Sequence, residues 1–299
     1  MQHFRMRTVP NITMLSFAAV SLAAAAPDIR SVEADLVVPK LAVGKPAPGR
    51  RVAVNDANSG VPVVLYLPTD WEEGKRYPVI LELPGNGGFR SSFGDECSGR
   101  PEGCKLGYGI TAGRGAIWVS VPFVNGKGDG IAITWWGDKP GFKPEPTVAL
   151  IKRVVERVCH KTFGGDSEHI FLAGFSRGAI ACNAIGLHDE EIAKLWRGMI
   201  PYSHYDGVRA GWPFAGSDRK SALKRLKRLG TTPQFVCHET GPKVRTALWA
   251  TRDYLKATEV EGNFTLAETG FRNHNDAWTL RPSKARDELR AWFWRLAKR

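Results

Sequence analysis

Residues 170–179 read Ile-Phe-Leu-Ala-Gly-Phe-Ser-Arg-Gly-Ala, a β-rich run that passes through Gly174-Phe175-Ser176-Arg177-Gly178 into small, helix-compatible residues. A serine held at a sharp strand-to-helix turn leaves no room for side chains on its flanks, which accounts for glycine at 174 and 178. Such a turn lifts the serine oxygen clear of a sheet and aims a helix N-terminus at negative charge developing beside it. The motif alone is weak. The strand before it and the helix after it make Ser176 a candidate nucleophile.

The surrounding pattern supplies the sheet. Short β-rich runs over 61–67, 79–83, 116–121, 170–173, 198–202, 234–238 and 264–267 alternate with helical periodicity over 147–159, 176–185, 217–229, 244–257 and 284–297. Strand-helix alternation of this kind predicts an α/β fold, a mainly parallel sheet with helices on both faces. There is no internal repeat and no linker to a second domain. Residues 51–299 fit one domain with no large lid, preceded by an extended lead-in over 27–50 that contains Pro39, Pro46 and Pro48.

The first 26 residues belong elsewhere. Arg5 and Arg7 precede an apolar stretch from Ile12 to Ala26 that ends in four alanines. The pattern predicts a signal peptide cut near Ala25, and hence a secreted or periplasmic protein. The stretch is shorter than a membrane-spanning helix, and no other segment is long and apolar enough to span a bilayer.

The chain carries 42 Lys and Arg against 30 Asp and Glu. Loss of the leader removes two arginines and no acid, leaving a net charge of +10. Excess positive charge favours anionic partners such as acidic polysaccharide. It is dispersed, however. The densest run, Lys220 to Arg228, alternates with Leu223 and Leu226 as the basic outer face of an amphipathic helix, and no nucleic-acid recognition motif accompanies it. Of five cysteines, Cys97 and Cys104 flank a short loop and form the best candidate disulfide; none has zinc-type spacing.

Three further pieces complete a nucleophilic site. Leu83-Pro84-Gly85-Asn86-Gly87-Gly88 directly follows a strand and lets the backbone donate N–H groups. Together with the amide of Arg177 it would form an oxyanion hole, with Asn86 the loop donor and Gly87 its competitor. His274, in Gly270-Phe271-Arg272-Asn273-His274-Asn275-Asp276-Ala277-Trp278, lies between the last strand and the last helix, where a loop can carry an imidazole back to Ser176. The acid that orients it is expected at a strand end: Glu239 after 234–238, with Asp206 after 198–202 as the rival. Trp135 and Trp136, adjacent in a Gly-rich loop, are candidate substrate-binding residues that could stack on a sugar or aromatic group, with core packing the alternative.

Together the segments 79–88, 174–178 and 270–278 resemble the secreted α/β-hydrolase esterases, nearest to the polyhydroxybutyrate depolymerase-like and feruloyl or acetylxylan esterase-like enzymes. The likeness covers most of residues 60–299. It implies the α/β-hydrolase fold and hydrolysis of carboxylic esters through an acyl-enzyme, with no cofactor and no metal. Two departures stand out: Pro84 where such families usually have histidine, and Glu239 where aspartate is commoner. The step Ser176-Arg177 also resembles glucuronoyl esterases, in which the arginine helps hold the oxyanion. The expected substrate is an ester of plant cell walls or polysaccharides, anionic or of an aromatic acid, with the protein a monomer and no nucleic acid bound. A serine peptidase on the same fold and a non-catalytic carbohydrate-binding protein remain as other classes.

Overall fold

The computed structural model describes residues 25–298; most of the expected leader therefore lies outside the described residues. The strands are β1 (Leu41–Ala42), β2 (Arg51–Asn55), β3 (Pro62–Tyr66), β4 (Tyr77–Leu83), β5 (Phe89–Arg90), β6 (Glu96–Cys97), β7 (Ile117–Ser120), β8 (Gly165–Phe175), β9 (Gly198–Tyr202), β10 (Gln234–His238) and β11 (Phe264–Glu268). The helices are α1 (Leu106–Thr111), α2 (Glu145–Val155), α3 (Arg177–Ala184), α4 (Glu190–Ala193), α5 (Arg219–Leu226), α6 (Pro242–Thr258) and α7 (Lys284–Ala297).

Nine strands form one sheet in the order β1-β2-β3-β7-β4-β8-β9-β10-β11, with β5 and β6 a separate hairpin. Within the nine-stranded sheet β2–β3 and β3–β7 pair antiparallel and the other neighbours parallel. From β4 the chain crosses to β7 on one side and then adds β8, β9, β10 and β11 in order on the other, all parallel, so the strand ends that follow β4, β8, β9 and β10 fall side by side on one edge of the sheet. Loops leaving that edge carry the candidate site residues.

Period-two alternation distributes the core. Val79, Leu81 and Leu83 of β4 pack on one face with Leu150 and Ile151 of α2 and Ile180 of α3. Ile80, Trp118 and Phe171 pack on the other with Leu289, Trp292 and Phe293 of α7. Residues buried on both faces explain why the central strands read as continuous apolar runs.

Several boundaries differ from the sequence reading. The helix expected over 147–159 begins at Glu145 and continues as a π-helical turn through Thr162. The strand β2 and the helix α1 were not anticipated. The Cys97–Cys104 disulfide is corrected: all five cysteines are buried free thiols. The lead-in is tied down at its start. Ile29 is buried, its amide donates to Asn273 Oδ1 at 2.7 Å, and Asp28 pairs with Arg272 at 2.7 Å.

Helix α1 is short and contains Gly107 and Gly109, poor helix formers. It is held by a buried carboxylate. Glu82 Oε1 accepts the amides of Lys105 (3.1 Å) and Leu106 (3.0 Å), and Oε2 accepts the amide of Gly107 and Trp118 Nε1, both at 2.8 Å. Burial, and then the nearby Asp276 charge, pushes the Glu82 carboxyl up to about 7 despite these donors. Lys105 links the cluster onward through its ammonium, 2.8 Å from Asp276. Replacing Glu82 by Gln sets an amide N–H₂ against other donors. We expect a loss of about 2–4 kcal/mol in unfolding free energy, read from urea denaturation. An unchanged midpoint would refute this account of α1.

Candidate active site

Ser176 sits at the N-cap of α3 with φ 55° and ψ −113°, a conformation non-glycine residues rarely adopt. The turn is tight because the backbone closes on itself. A Cβ at Gly174 would lie 2.2 Å from the Gly178 carbonyl oxygen, and one at Gly178 would lie 2.2 Å from the Leu83 oxygen. Both glycines are thus demanded by backbone, which cannot give way. The Ser176 amide is anchored on the Tyr202 carbonyl at 2.9 Å, tying the turn to the end of β9.

The loop after β4 passes directly beside the serine. A Cβ at Gly85 would lie 3.1 Å from Ser176 Cβ and 2.4 Å from Cys97 Sγ. Gly87 donates its amide to the Ile133 carbonyl at 2.6 Å, so that N–H is already spent. The Asn86 amide has no such partner among the described residues. Of the two loop donors considered from sequence, this leaves Asn86 as the one free to meet an oxyanion.

The Arg177 side chain points inward. It is 1% exposed, donates to the Gly85 carbonyl at 2.8 Å and the Ala132 carbonyl at 3.3 Å, and lies 4.0 Å from the Phe123 ring centroid. Burial lowers its pKa to about 9. The guanidinium therefore braces the loop from beneath; only the backbone amide of Arg177, at the first position of α3, belongs to the serine's side of the turn.

His274 is held on several sides. Its Nδ1 lies 2.7 Å from Glu239 Oε1 and 2.8 Å from Ser203 Oγ. Its amide donates to Asp95 Oδ1 at 2.8 Å, and its carbonyl accepts the Glu96 amide at 3.0 Å. The Tyr202 hydroxyl reaches the carbonyls of Asn273 and Asn275 on either side, at 3.2 and 3.3 Å. The imidazole lies against Phe175, the residue before Ser176, with ring centroids 4.6 Å apart. No Ser176–His274 hydrogen bond forms among the described residues; contacts of this kind are often loose without substrate. With the proton on Nδ1 for Glu239, Nε2 carries the lone pair.

Of the two carboxylates considered, Glu239 meets the imidazole. Asp206 is buried against Arg225 at 2.8 Å, and burial, outweighing that partner, pushes its carboxyl up to about 6. For Glu239, burial would raise the carboxyl, but the hydrogen bond and charge of His274, with help from the Ser203 hydroxyl, prevail and hold it at about 2.

Trp136 is fully buried, packed on Phe123 and Phe214 at 5.5 and 4.7 Å between ring centroids, so it belongs to the core and lies outside the walls of the cavity at His274. Trp135 is half-buried and touches Trp212 at 5.4 Å. Trp212 lines a cavity of about 370 Å³ that starts at His274 and is walled further by Phe93, Ser203, His204, Arg209 and Arg272. None of these six was singled out from the sequence. Ser203 carries a signal in hindsight: it directly follows β9 and has φ 86°, a second strained non-glycine residue at the same sheet edge. The others lie in loops whose local pattern marks no role. His204 and His238, also on the cavity, are both pushed down to about 4, chiefly by burial.

A parallel sheet with a serine on a strained strand-to-helix turn and a carboxylate-bound histidine at the same edge defines the α/β-hydrolase fold. No protein-family model matches the chain, and no curated protein sequence matches it. Solved structures do. An S-formylglutathione hydrolase from Agrobacterium tumefaciens superposes with a TM-score of 0.52 at 13% identity, over 83% of this chain and 94% of that one. A fluorophosphonate-binding serine hydrolase of Staphylococcus aureus superposes at 0.51 and 14% identity, over 84% and 99%. A thermostable esterase gives 0.47 at 16% identity over 82% of this chain, which spans 62% of the esterase's length. For the first two, at these identities, the likeness is one of fold.

The Glu239–His274 pair makes a pH prediction. A carboxyl held at about 2 against an ordinary 4.5 contributes stability that is complete above the ordinary value and is lost as pH falls toward the lower one. Across that window, unfolding free energy should fall more steeply for the native chain than for Glu239→Gln, as read from urea unfolding at several pH values. Parallel slopes would contradict the assigned pairing.

Proposed function

We propose that this chain is a serine carboxylic ester hydrolase, working through Ser176, His274 and Glu239 and an acyl-enzyme. One observation carries the reading: the strained serine at the start of α3 and the Glu239-bound imidazole meet at one sheet edge, across Phe175. In the mechanism His274 Nε2 takes the proton of Ser176 as its oxygen attacks the ester carbonyl. The amides of Arg177 and Asn86 receive the oxyanion, aided by the N-terminal end of α3. The imidazolium, stabilised by Glu239, protonates the leaving alcohol. Water, activated by the same imidazole, then releases the acid and frees the serine.

The brace that Arg177 gives the loop keeps the Asn86 amide in place before substrate arrives, which is what makes an oxyanion donor effective. The expected leader supports an exported enzyme, and the net positive charge supports a polysaccharide-linked or otherwise anionic ester as substrate. No helix among the described residues is long and apolar enough to cross a membrane, and the enzyme is proposed to act as a monomer.

Ser176→Ala should reduce hydrolysis of p-nitrophenyl acetate by about a thousandfold or more while the circular dichroism spectrum is kept, and should abolish labelling by a fluorophosphonate probe. Near-native turnover would end the proposal. Glu239→Ala should lower kcat by roughly a hundredfold or more, the size expected when an imidazole loses its orienting acid. Asp206→Ala, which removes a partner of Arg225 instead, should act mainly on thermal stability; the reverse ranking of the two in kcat would reassign the acid.

Ser203 should behave as a positioning residue. Its hydroxyl shares Nδ1 of His274 with Glu239. Ser203→Ala should lower kcat about tenfold with little change in KM, and Ser203→Thr should recover part of the loss. A loss confined to KM would speak for a substrate contact.

A further inference from the structure

The cavity beside His274 adjoins the imidazole and its partners Glu239 and Ser203, while Ser176, Asn86 and Arg177 are absent from its walls. In acyl transfer from an ester, the imidazolium delivers its proton to the departing alcohol oxygen. A space that opens from the histidine and away from the oxyanion loop therefore receives the alcohol half of the ester, and its lining describes that half.

Two features of the lining stand out. Phe93 and Trp212 present aromatic surface, each with an arginine stacked on it: Arg272 lies 4.3 Å from the Phe93 centroid and Arg209 lies 4.5 Å from the Trp212 centroid. Stacking occupies the face of a guanidinium and leaves its in-plane N–H groups free, the edge that grips a carboxylate. The two arginines differ in one respect. Arg272 is paired with Asp28 at 2.7 Å, a carboxylate it shares with Arg30, whereas Arg209 is exposed and has no carboxylate partner among the described residues. The other arginines around the site are engaged as well, Arg225 by Asp206 and Arg177 by two carbonyls.

The two acids on the cavity wall, Glu239 and Asp95, are bound to other groups and neither pairs with Arg209. Glu239 is buried and serves His274, and Asp95 accepts the His274 amide at 2.8 Å and lies 3.3 Å from the Ser91 hydroxyl. His204 and His238 are held neutral, so they add no charge of their own near neutral pH. The charge of Arg209 is felt inside the cavity, where it helps to depress His204.

We propose that Arg209, seated on Trp212, selects esters whose alcohol half is a ring bearing a carboxylate, the ring lying against Trp212 and Phe93 and the carboxylate meeting the free edge of Arg209. This rests on the ester-hydrolase reading above and names the substrate class for the same site. The reaction is unchanged: the bond from Ser176 oxygen to the acyl carbon forms, the bond from that carbon to the alcohol oxygen breaks, and the serine proton leaves with the carboxylate-bearing alcohol.

The test compares para-acetoxybenzoate with its neutral methyl ester, methyl para-acetoxybenzoate, on the full chain. Both deliver the same acetyl group, and each rate is normalised to the compound's own alkaline hydrolysis. The native enzyme should favour the anionic substrate in kcat/KM by about tenfold, the scale of one partly exposed charge-assisted contact. The preference should shrink as salt is raised. Arg209→Gln should bring the ratio close to one, and Arg209→Lys should keep most of it. A native ratio of one or below, or a preference that survives Arg209→Gln, overturns the inference while leaving the hydrolase reading intact. Failure to cleave either ester, with no fluorophosphonate labelling of Ser176, overturns both.

Discussion

Backbone crowding around one residue organises this molecule. At Ser176 the chain turns from β8 into α3 with so little clearance that neither Gly174 nor Gly178 can carry a Cβ. The Gly178 contact is with the Leu83 carbonyl, at the end of β4, so the turn also sets how close the next strand's loop can come. The amide of Ser176 is tied to Tyr202 at the end of β9. Three neighbouring strands thereby end in register around one side chain. The strain at φ 55° persists because interlocked backbone, rather than flexible side chains, surrounds it.

A second layer, mostly hydrogen-bonded and largely dry, holds what the turn alone cannot. Tyr202 stacks on Phe175 at 5.1 Å and grips the backbone on both sides of His274. Glu82 organises α1, and Lys105 carries that organisation to Asp276, two residues beyond His274. Arg177 reaches under the loop of Asn86. The residues that would do chemistry are thus few, while the residues that keep them still are drawn from β4, α1, β8, β9 and the loop after β11. Such a distribution makes the site sensitive to substitutions far from the serine in sequence.

Much of the fold was legible because parallel strands buried on both faces write themselves as apolar runs, and the seven runs identified all appear as strands of the main sheet. The serine turn was legible for the same steric reason that shapes it. The strand β2 was not, since Arg51 opens it and only five residues carry the pattern. The helix α1 was not, because its glycines argue against a helix; they are there to let it pack, Gly107 against Trp118 and Gly109 against Thr279, where a Cβ would fall 2.2 Å from each side chain. At the site, His274 and Glu239 could be placed by their positions after strands. Ser203, Arg209 and Trp212 could not, because their proximity arises from how the loop after β9 folds over the sheet edge, a long-range outcome with no local pattern. For the paired tryptophans the sequence left stacking and core packing both open; Trp136 takes the second, enclosed by Phe123 and Phe214, and Trp212 is the tryptophan that lines the cavity.

The strap formed by Asp28 and Ile29 has a bearing on how much of the chain the imidazole depends on. It fastens the loop of His274 by contacts that span 244 positions along the chain. Contacts of such separation carry a loop-closure cost that local contacts do not. The imidazole therefore has its full set of restraints only when Asp28 and Ile29 and the loop after β11 are both in place. A chain interrupted before residue 270 would keep Ser176 and Glu239 in its sequence yet lose both the histidine and the partners that Asp28 and Ile29 fasten.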